Sequence, residues 1–286
     1  MFKSSLFFED EWSLAIIKKP ISDLFSKDFF DDLKLIQNPR NSFLADPYIV
    51  SEAPLTILCE YYSFSGKIGR IEEVNLEENG DIRARSVFLK EAWHLSFPTK
   101  LEETILVESA TAGGVYLYDA SGKNGSCIII ESLLDPVIIK IGEAYLLIAN
   151  SMIDSELQLY TASSLNSKWS KLESWKFVGD NLDARSAGVP FIKEGKLLRP
   201  CQIGKDADYG SGISINELNI DFENRVFEQK EIMRIDPSSI GRPEYKGLHT
   251  ISSKQNWTII DLKSRRFVLL NPLYKIWRRL LNGIRG

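Results

Sequence analysis

Short runs of apolar, β-branched and aromatic residues, separated by turn-forming residues, make up most of the chain. Leu55–Tyr62, Ala144–Ala149 and Trp257–Ile260 are runs of this kind, and the stretch Glu78–Asp81 (Glu-Asn-Gly-Asp) is one of the turn signals between them. Such runs favour strands, and Asn, Gly and Asp favour the turns that join them. Helical spacing is confined to Ile21–Ile36 and the extreme C-terminus. The pattern therefore predicts an all-β fold.

A strand–turn–strand pattern recurs five times. The copies start at residues 47, 98, 136, 190 and 249, and the first four start at a proline. Their spacing fits a blade of about four strands. Five copies predict a five-bladed β-propeller, in which Trp12–Ile17 would pair with the last blade and close the ring. The alternative is an irregular β-sandwich whose hairpins recur by chance.

The composition excludes several classes of protein. The 286 residues carry a net charge of −4, with 44% hydrophobic and 26% charged residues, which argues against a nucleic-acid binder and against global disorder. No apolar run is long enough to span a membrane, and Glu9 and Asp10 come too early for a signal peptide. Three widely spaced cysteines indicate neither a disulfide framework nor a zinc site. A reduced, cytoplasmic protein without cofactor or metal is the expectation.

The repeat also predicts where chemistry would take place. If each copy forms the two inner strands of a blade, its first and last residues lie near one mouth of the channel. A cluster of acids and amides there can pair with sugar hydroxyls, and two nearby carboxyl groups can act as base and acid in glycosyl chemistry. No GxSxG, P-loop, GxGxxG or HExxH motif occurs. The positions are Asp46 and Glu60, Phe97 and Glu108, Asp135 and Asn150, Pro190 and Gln202, and His249 and Asp261.

The acids of this set also have structural interpretations. Asp46 and Asp135 precede a proline, where aspartate often bonds the local backbone. Glu60 and Glu108 end apolar strands, where a charge can simply mark the exit to solvent. Because both glutamates occupy the same position of the repeat, a functional role is favoured for them.

Five further residues, of which only Arg199 lies within a copy of the repeat, extend the candidate site. Arg185 and Arg199 are cations suited to a phosphate or a carboxylate, although they could also pair with the acids of the cluster. His94 is either a catalytic or a hydrogen-bonded structural histidine, and Tyr209 and Glu217 are candidate sugar contacts.

The C-terminal segment differs in composition from the rest. Seven basic residues and no acidic residue occur between Lys263 and Gly286, and Pro272 is well placed to begin a helix. We expect a propeller over residues 1–265 and a basic amphipathic helix over 266–286, of which 272–285 would lie on an anionic membrane surface. The alternative is a terminal helix whose apolar face docks on the propeller. The residues of that face are Leu273, Ile276, Trp277, Leu280, Leu281 and Ile284.

Ten short motifs occur in a fixed order along the chain. They are Trp12–Ile16, Phe43–Val50, His94–Pro98, Val107–Ser109, Tyr116–Ala120, Ala184–Gly188, Leu198–Gln202, Tyr209-Gly210, Asn216-Glu217 and Gly247–Thr250. Together they resemble the N-terminal domain of plant glucosamine inositolphosphorylceramide transferases and its bacterial relatives encoded with polysaccharide-assembly enzymes. The resemblance covers about Trp12 to Asp261, and it implies a five-bladed propeller similar to family 43 glycoside hydrolases.

The resemblance also implies roles. The Ala-Asp-Pro motif of those hydrolases carries their catalytic base, which falls on Asp46, whereas their acid in the third blade is replaced by Asn150. This favours a glycosyltransferase, because an activated donor leaves without strong protonation. Asp46 would deprotonate the acceptor, Glu60 and Glu108 would position sugar hydroxyls, and Arg185 with Arg199 would bind a donor phosphate.

The expected partners are an activated sugar donor, with a nucleotide or lipid phosphate, and a glycan or lipid-linked acceptor. The expected location is the cytoplasmic face of the cell membrane, to which the chain would bind peripherally. A glycoside hydrolase acting on furanosides and a non-catalytic glycan-binding propeller remain alternatives.

Overall fold

The structure is a computed structural model that describes residues 8–204 and 208–267. Within these ranges the backbone forms 21 strands in five sheets. In chain order the strands are β1 (Phe8–Ile17), β2 (Lys34–Leu35), β3 (Ser42–Glu52), β4 (Leu55–Ser63), β5 (Gly69–Leu76), β6 (Ile82–Leu89), β7 (Ser96–Leu101), β8 (Thr104–Glu108), β9 (Val115–Asp119), β10 (Gly125–Ile129), β11 (Leu133–Ile141), β12 (Ala144–Ser151), β13 (Leu157–Ala162), β14 (Ser170–Lys171), β15 (Lys176–Gly179), β16 (Phe191–Lys193), β17 (Lys196–Ile203), β18 (Gly212–Asp221), β19 (Val226–Ile235), β20 (Ile251–Lys254) and β21 (Trp257–Phe267).

Each sheet is one blade of a five-bladed β-propeller, as the repeat predicted. Blades 1, 2 and 3 are the meanders β3–β6, β7–β10 and β11–β14. Blade 4 has the order β16-β17-β18-β19-β15, in which β15 pairs in parallel with β19. Blade 5 has the order β20-β21-β1-β2, so it combines strands from both ends of the described chain.

Strand β1 closes the ring. It pairs antiparallel with β21 over its whole length, from Phe8 opposite Phe267 to Ile17 opposite Thr258. The predicted closing strand Trp12–Ile17 lies within it. Strand β21 continues to Phe267, two residues beyond the predicted end of the propeller at 265. The predicted C-terminal helix, from residue 268 onward, lies outside the described residues.

The helical spacing over Ile21–Ile36 was a misleading signal. This segment holds a five-residue 3-10 helix, Ile21–Phe25, followed by turns and the short strand β2. Leu24, Phe29 and Ile36 are buried, so the apolar positions serve packing without a regular helix. Among the described residues, no helix has the length and apolarity needed to cross a membrane.

The hydrophobic core lies between neighbouring blades. Successive side chains of a strand point to opposite faces of its sheet. On β1, Leu14 and Ile16 therefore pack against blade 1, whereas Ala15 and Ile17 pack against blade 4. Both faces of each inner strand are apolar, which explains why the strands read as continuous apolar runs.

Three blades begin with the same backbone irregularity. Asp46, Phe97 and Asp135 have positive φ angles of 50°, 46° and 43°, and each precedes a proline. At each of them the pairing of the first two strands of the blade shifts register. A bulge of this kind redirects a side chain away from the ordinary alternation of the strand. Here it lies at the end of each blade that faces the site.

Candidate functional site

A polar pocket with aromatic walls lies at the mouth of the propeller and has a volume of about 290 Å³. It is called the acidic pocket below. Its lining comes from blades 1, 2 and 5, from the segments that precede β7, β16 and β20, and from the loop between β17 and β18. The lining residues are Trp12, Phe43, Ala45, Asp46, Glu60, Tyr62, His94, Ser96, Glu108, Arg185, Tyr209 and His249.

His249 lies between two carboxyl groups at one side of the acidic pocket. Its Nε2 is 3.3 Å from Oδ1 of Asp46, and its Nδ1 is 2.7 Å from Oδ2 of Asp261. Burial alone would lower the pKa of His249, but the charges of Asp261 and Asp46 outweigh it and raise the pKa. Burial raises the pKa of Asp46 well above its ordinary value, although His249 opposes this effect. Asp46 is therefore a stronger base than an exposed aspartate.

Asp261 is the ionised member of this group. Its Oδ1 accepts hydrogen bonds from the backbone N–H groups of His249 and Thr250, and its Oδ2 accepts from the Thr250 hydroxyl and the Asp46 N–H. Burial favours the neutral form, but His249 and these hydrogen bonds prevail and lower the pKa of Asp261. Asp261 thus holds His249 in a fixed orientation beneath Asp46.

The bulge at the start of each of three blades donates its N–H to a carboxylate of the preceding blade. Asp46 N–H donates to Asp261 at 3.2 Å, and Phe97 N–H donates to Asp46 Oδ2 at 3.3 Å. Asp135 N–H donates to Glu108 Oε2 at 2.7 Å. The carboxyl groups of the site are therefore oriented by the same bulges that shape the blades.

Glu60 lies on β4 with His94 beside it. Nδ1 of His94 accepts the N–H of Gly69 at 2.9 Å, so a neutral ring carries its proton on Nε2, which lies 3.4 Å from Oε1 of Glu60. Burial lowers the pKa of His94 and favours that neutral ring. Burial, followed by the charges of Glu108, Asp261 and Asp135, raises the pKa of Glu60 to about 8. Glu60 is thus a proton donor at neutral pH.

Arg185 joins the carboxyl groups of blades 2 and 3. Its Nε donates to Asp135 Oδ2 at 2.6 Å, and its Nη2 donates to Glu108 Oε2 at 3.3 Å. Burial and the charge of Asp135 raise the pKa of Glu108 to about 8, although Arg185 opposes this. Glu108 is a second carboxyl group that keeps its proton at neutral pH.

Aromatic rings form the walls of the acidic pocket. Trp12 stacks on His249 with ring centres 3.8 Å apart, and Tyr62 stacks on Phe43 with centres 4.9 Å apart. Tyr209 lies under the guanidinium of Arg185 at 5.3 Å. Flat apolar faces beside hydrogen-bonding carboxyl groups match a sugar ring, which has apolar C–H faces and a polar hydroxyl rim.

Asp46, His249 and Asp261 could also share a metal ion. Within residues 8–204 and 208–267 they are the one group of three whose ligand atoms all lie within 4.8 Å of one another. Four hydrogen-bond donors from the protein already occupy the oxygens of Asp261. Nδ1 of His249 lies 2.7 Å from Asp261 Oδ2 but makes no hydrogen bond among the described residues.

Asn150 and Gln202 lie beside the acidic pocket rather than in its lining. Nδ2 of Asn150 donates to the carbonyl oxygens of Ser155 and Asp183, so this residue holds two loops together. Nε2 of Gln202 donates to Asp135 Oδ2 at 2.6 Å and to Ser186 O at 2.9 Å.

Arg199 and Glu217 are not in the site, contrary to the sequence prediction. Arg199 is fully buried inside blade 4, where it donates to Gln229 Oε1 and Ala184 O. It lies three residues from Gln202 on β17, so strand alternation directs it to the opposite face. Glu217 pairs with Lys196 at 2.8 Å on the outer part of blade 4. Neither side chain lines the acidic pocket.

Of the aromatic walls, only Tyr209 was predicted from the sequence as a sugar contact, whereas Trp12, Phe43 and Tyr62 were not. Tyr62 follows Glu60 by two residues on β4, so the period of a strand predicts that both side chains share a face. Trp12 shares its face of β1 with the apolar Leu14, so its neighbours in the strand do not indicate a polar site. Trp12 reaches His249 only because β1 closes the ring.

Comparisons with known proteins agree with this architecture. The chain is 24% identical over 251 residues to glucosamine inositolphosphorylceramide transferase 1 of Arabidopsis thaliana, a match that covers 80% of this chain and 32% of that protein. The chain thus spans about a third of the length of this relative.

Two solved structures share the fold. One is a family 43 β-1,3-galactosidase in complex with galactodeoxynojirimycin, with a TM-score of 0.50 and 10% identity over 71% of this chain and 81% of that one. The other, from Bacteroides ovatus, is assigned as a glycoside hydrolase, with a TM-score of 0.51 and 10% identity over 79% and 93%. A family model described as glucosamine inositolphosphorylceramide transferase 1, N-terminal, matches residues 34–268, and the chain belongs to that family.

Proposed function

We propose that the acidic pocket binds a sugar and transfers a glycosyl group from an activated donor to a glycan acceptor. The observation that carries this proposal is the pairing of a buried base, Asp46, with two glutamates that hold their protons near neutral pH, inside aromatic walls. Titratable groups whose environments separate their roles are typical of acid–base catalysis.

Asp46 acts as the general base. A hydroxyl oxygen of the acceptor attacks the anomeric carbon of the donor while the bond from that carbon to the leaving phosphate breaks, and the hydroxyl proton passes to Asp46. The imidazolium of His249, 3.3 Å away, stabilises the ionised form of Asp46 before transfer. A base with a raised pKa accepts a proton more readily near neutral pH.

Glu60 and Glu108 act as hydrogen-bond donors to the sugar. Glu108 is also held by Arg185, which lies at the edge of the acidic pocket with about a quarter of its side chain exposed. Because Arg199 is buried inside blade 4, Arg185 alone of the two predicted arginines faces a donor phosphate.

The proposed acceptor and location depend on the basic composition of the C-terminal segment. We propose that residues 272–285 contact an anionic membrane, so that the acceptor is a glycan or a glycolipid at that surface. The relative in Arabidopsis is named for transfer of glucosamine to inositolphosphorylceramide, which makes a lipid-linked acceptor a consistent choice. Of the seven C-terminal basic residues, Lys263 donates to the backbone oxygen of Tyr209, and Arg265 and Arg266 lie near Asp10 and Glu9. The contact would therefore depend on the other four, which are Lys275, Arg278, Arg279 and Arg285.

The test is a product assay by mass spectrometry. The purified chain is incubated with a panel of sugar nucleotides and polyprenyl-phosphate sugars, together with oligosaccharide and glycolipid acceptors. We expect the mass of one acceptor to increase by one glycosyl unit with the wild type and with Glu217→Gln, but not with Asp46→Asn. Absence of product from the whole panel would contradict the proposal.

Glycoside hydrolysis is a second candidate, and one observation favours it. A glutamate with a pKa of about 8 can protonate a glycosidic oxygen at neutral pH, which a phosphate leaving group does not require. Free sugar released from oligosaccharides without any donor, dependent on Glu108 and Asp46, would establish hydrolysis in place of transfer.

A further inference from the structure

A second compartment lies next to the acidic pocket and has a volume of about 310 Å³. It shares two lining residues, Arg185 and Tyr209, with the acidic pocket, so these side chains stand at the boundary between the two. Each compartment has the volume of a small ligand site, which starts at roughly 300 Å³. Its other lining residues are Leu134, Ser155, Asn181, Asp183, Ala184, Gln202, Ile203 and Gly204.

The walls of the second compartment are fixed by hydrogen bonds. Asn150, fully buried, donates to the backbone of Ser155 at 3.1 Å and of Asp183 at 3.2 Å, and both of these residues line the compartment. Asn181 donates to Asn216 and Glu231 at 3.1 and 2.8 Å. These hydrogen bonds hold the lining residues in place, so the shape of the compartment is fixed by the fold.

Gln202 lines the second compartment and carries a buried acceptor without a partner. The residue is 5% exposed, and its Nε2 donates hydrogen bonds to Asp135 Oδ2 and Ser186 O. Its Oε1 has no hydrogen-bond partner among the described residues. A buried acceptor without a partner costs free energy of about 1–3 kcal/mol, which a hydroxyl or amine of a ligand would recover.

We infer that the second compartment binds a second sugar ring, whose hydroxyl donates to Gln202 Oε1. This inference rests on the proposed function, because the first ring occupies the acidic pocket. The linkage between the two rings then crosses Arg185 and Tyr209, next to Glu108, which Arg185 contacts at 3.3 Å. The preferred ligand is at least a disaccharide or a pair of sugars.

Matched saccharide pairs test the inference by calorimetric titration. The probes are glucosamine, N-acetylglucosamine and galactose, each compared with its own disaccharide (β-1,4 for the first two, β-1,3 for galactose). Ala184→Phe fills the second compartment. Gln202→Met removes the acceptor at nearly constant volume, together with the N–H groups that donate to Asp135 and Ser186. Ala84→Phe, on the exposed part of strand β6, is the matched control for the added ring.

We expect one disaccharide to bind at least tenfold more tightly than its monosaccharide. This advantage should disappear in Ala184→Phe and Gln202→Met and remain in Ala84→Phe. Monosaccharide binding should be unchanged in Ala184→Phe and Ala84→Phe. If a monosaccharide binds and its disaccharide gains nothing, the second compartment is not a sugar site and the proposed function stands. If no saccharide binds the wild type, the proposed function and this inference both fail. If Ala184→Phe does not fold, the ratio of disaccharide to monosaccharide affinity in Gln202→Met decides alone.

Discussion

Nε2 of His249 lies 3.3 Å from Oδ1 of Asp46, and this contact joins the segment before the last blade to the first strand of the first blade. The ring is closed nearby by β1, whose Trp12 stacks on the same histidine. Closure of the propeller and assembly of the acid–base group therefore depend on the same part of the molecule.

Replacement of Asp46 by Asn should abolish turnover and preserve the fold. The amide retains an oxygen that can accept from the Phe97 N–H, but it cannot take a proton from an acceptor hydroxyl. Loss of a general base lowers the rate by roughly 10²- to 10⁴-fold. Turnover of the identified substrate and thermal unfolding are measured side by side. A variant with wild-type turnover would show that Asp46 is not the base.

The pH profile of kcat/KM should fall on its alkaline side at about pH 8. Glu108 must keep its proton to donate to the substrate, and its pKa is about 8, so activity is lost as that proton leaves. Glu108→Gln should be slower, and its rate should no longer decline with the same midpoint. An unchanged alkaline limb in Glu108→Gln would assign that limb to another group, of which Glu60 is the first to test.

Glu60→Gln should stabilise the protein at alkaline pH and leave it nearly unchanged at pH 4. The folded chain holds the Glu60 proton up to a pH of about 8, whereas the unfolded chain releases it near pH 4.5. Stability therefore falls as pH rises between these values, and the neutral amide avoids this loss. We expect a gain of roughly 4 kcal/mol at pH 8, measured by urea unfolding. Glu217→Gln, at an outer position, is the control. An equal gain at both pH values would contradict the assigned pKa.

The aromatic wall should contribute to sugar affinity through its face rather than its hydroxyl. Tyr62→Phe keeps the ring that stacks on Phe43, and Tyr62→Leu removes it. A ring contact of about 1.4 kcal/mol corresponds to a tenfold change in Kd. Titration with the sugar that binds the wild type should give near-normal affinity for Tyr62→Phe and roughly tenfold weaker binding for Tyr62→Leu. Equal affinities for the two variants would place the sugar elsewhere.

The fold could be predicted because its signal repeats. Five hairpins recur with similar strands. Strand β1 precedes the first of them as an extra strand, which the ring accommodates by pairing it with β21. The helical spacing of Ile21–Ile36 does not correspond to a regular helix, because such spacing reports only which positions are buried. Here a short 3-10 helix buries Leu24 and a turn buries Phe29.

The site could be predicted only in outline. Hairpin ends bring Asp46, Glu60 and Glu108 together, since the repeat places them at one mouth. Arg199 was misplaced because motif spacing ignores the face to which a strand directs each side chain. The pKa shifts depend on burial and on charges from other blades, and these three-dimensional properties have no local sequence signal.

The most direct measurement is calorimetric titration of the full chain with a panel of monosaccharides, disaccharides and sugar nucleotides. The comparison uses wild type, Glu60→Ala in the acidic pocket, and Glu217→Gln outside it. If the acidic pocket is a sugar site, the wild type and Glu217→Gln should bind at least one ligand saturably. Glu60→Ala should bind that ligand at least tenfold more weakly. Binding that is indifferent to Glu60, or no binding by the wild type, would contradict it.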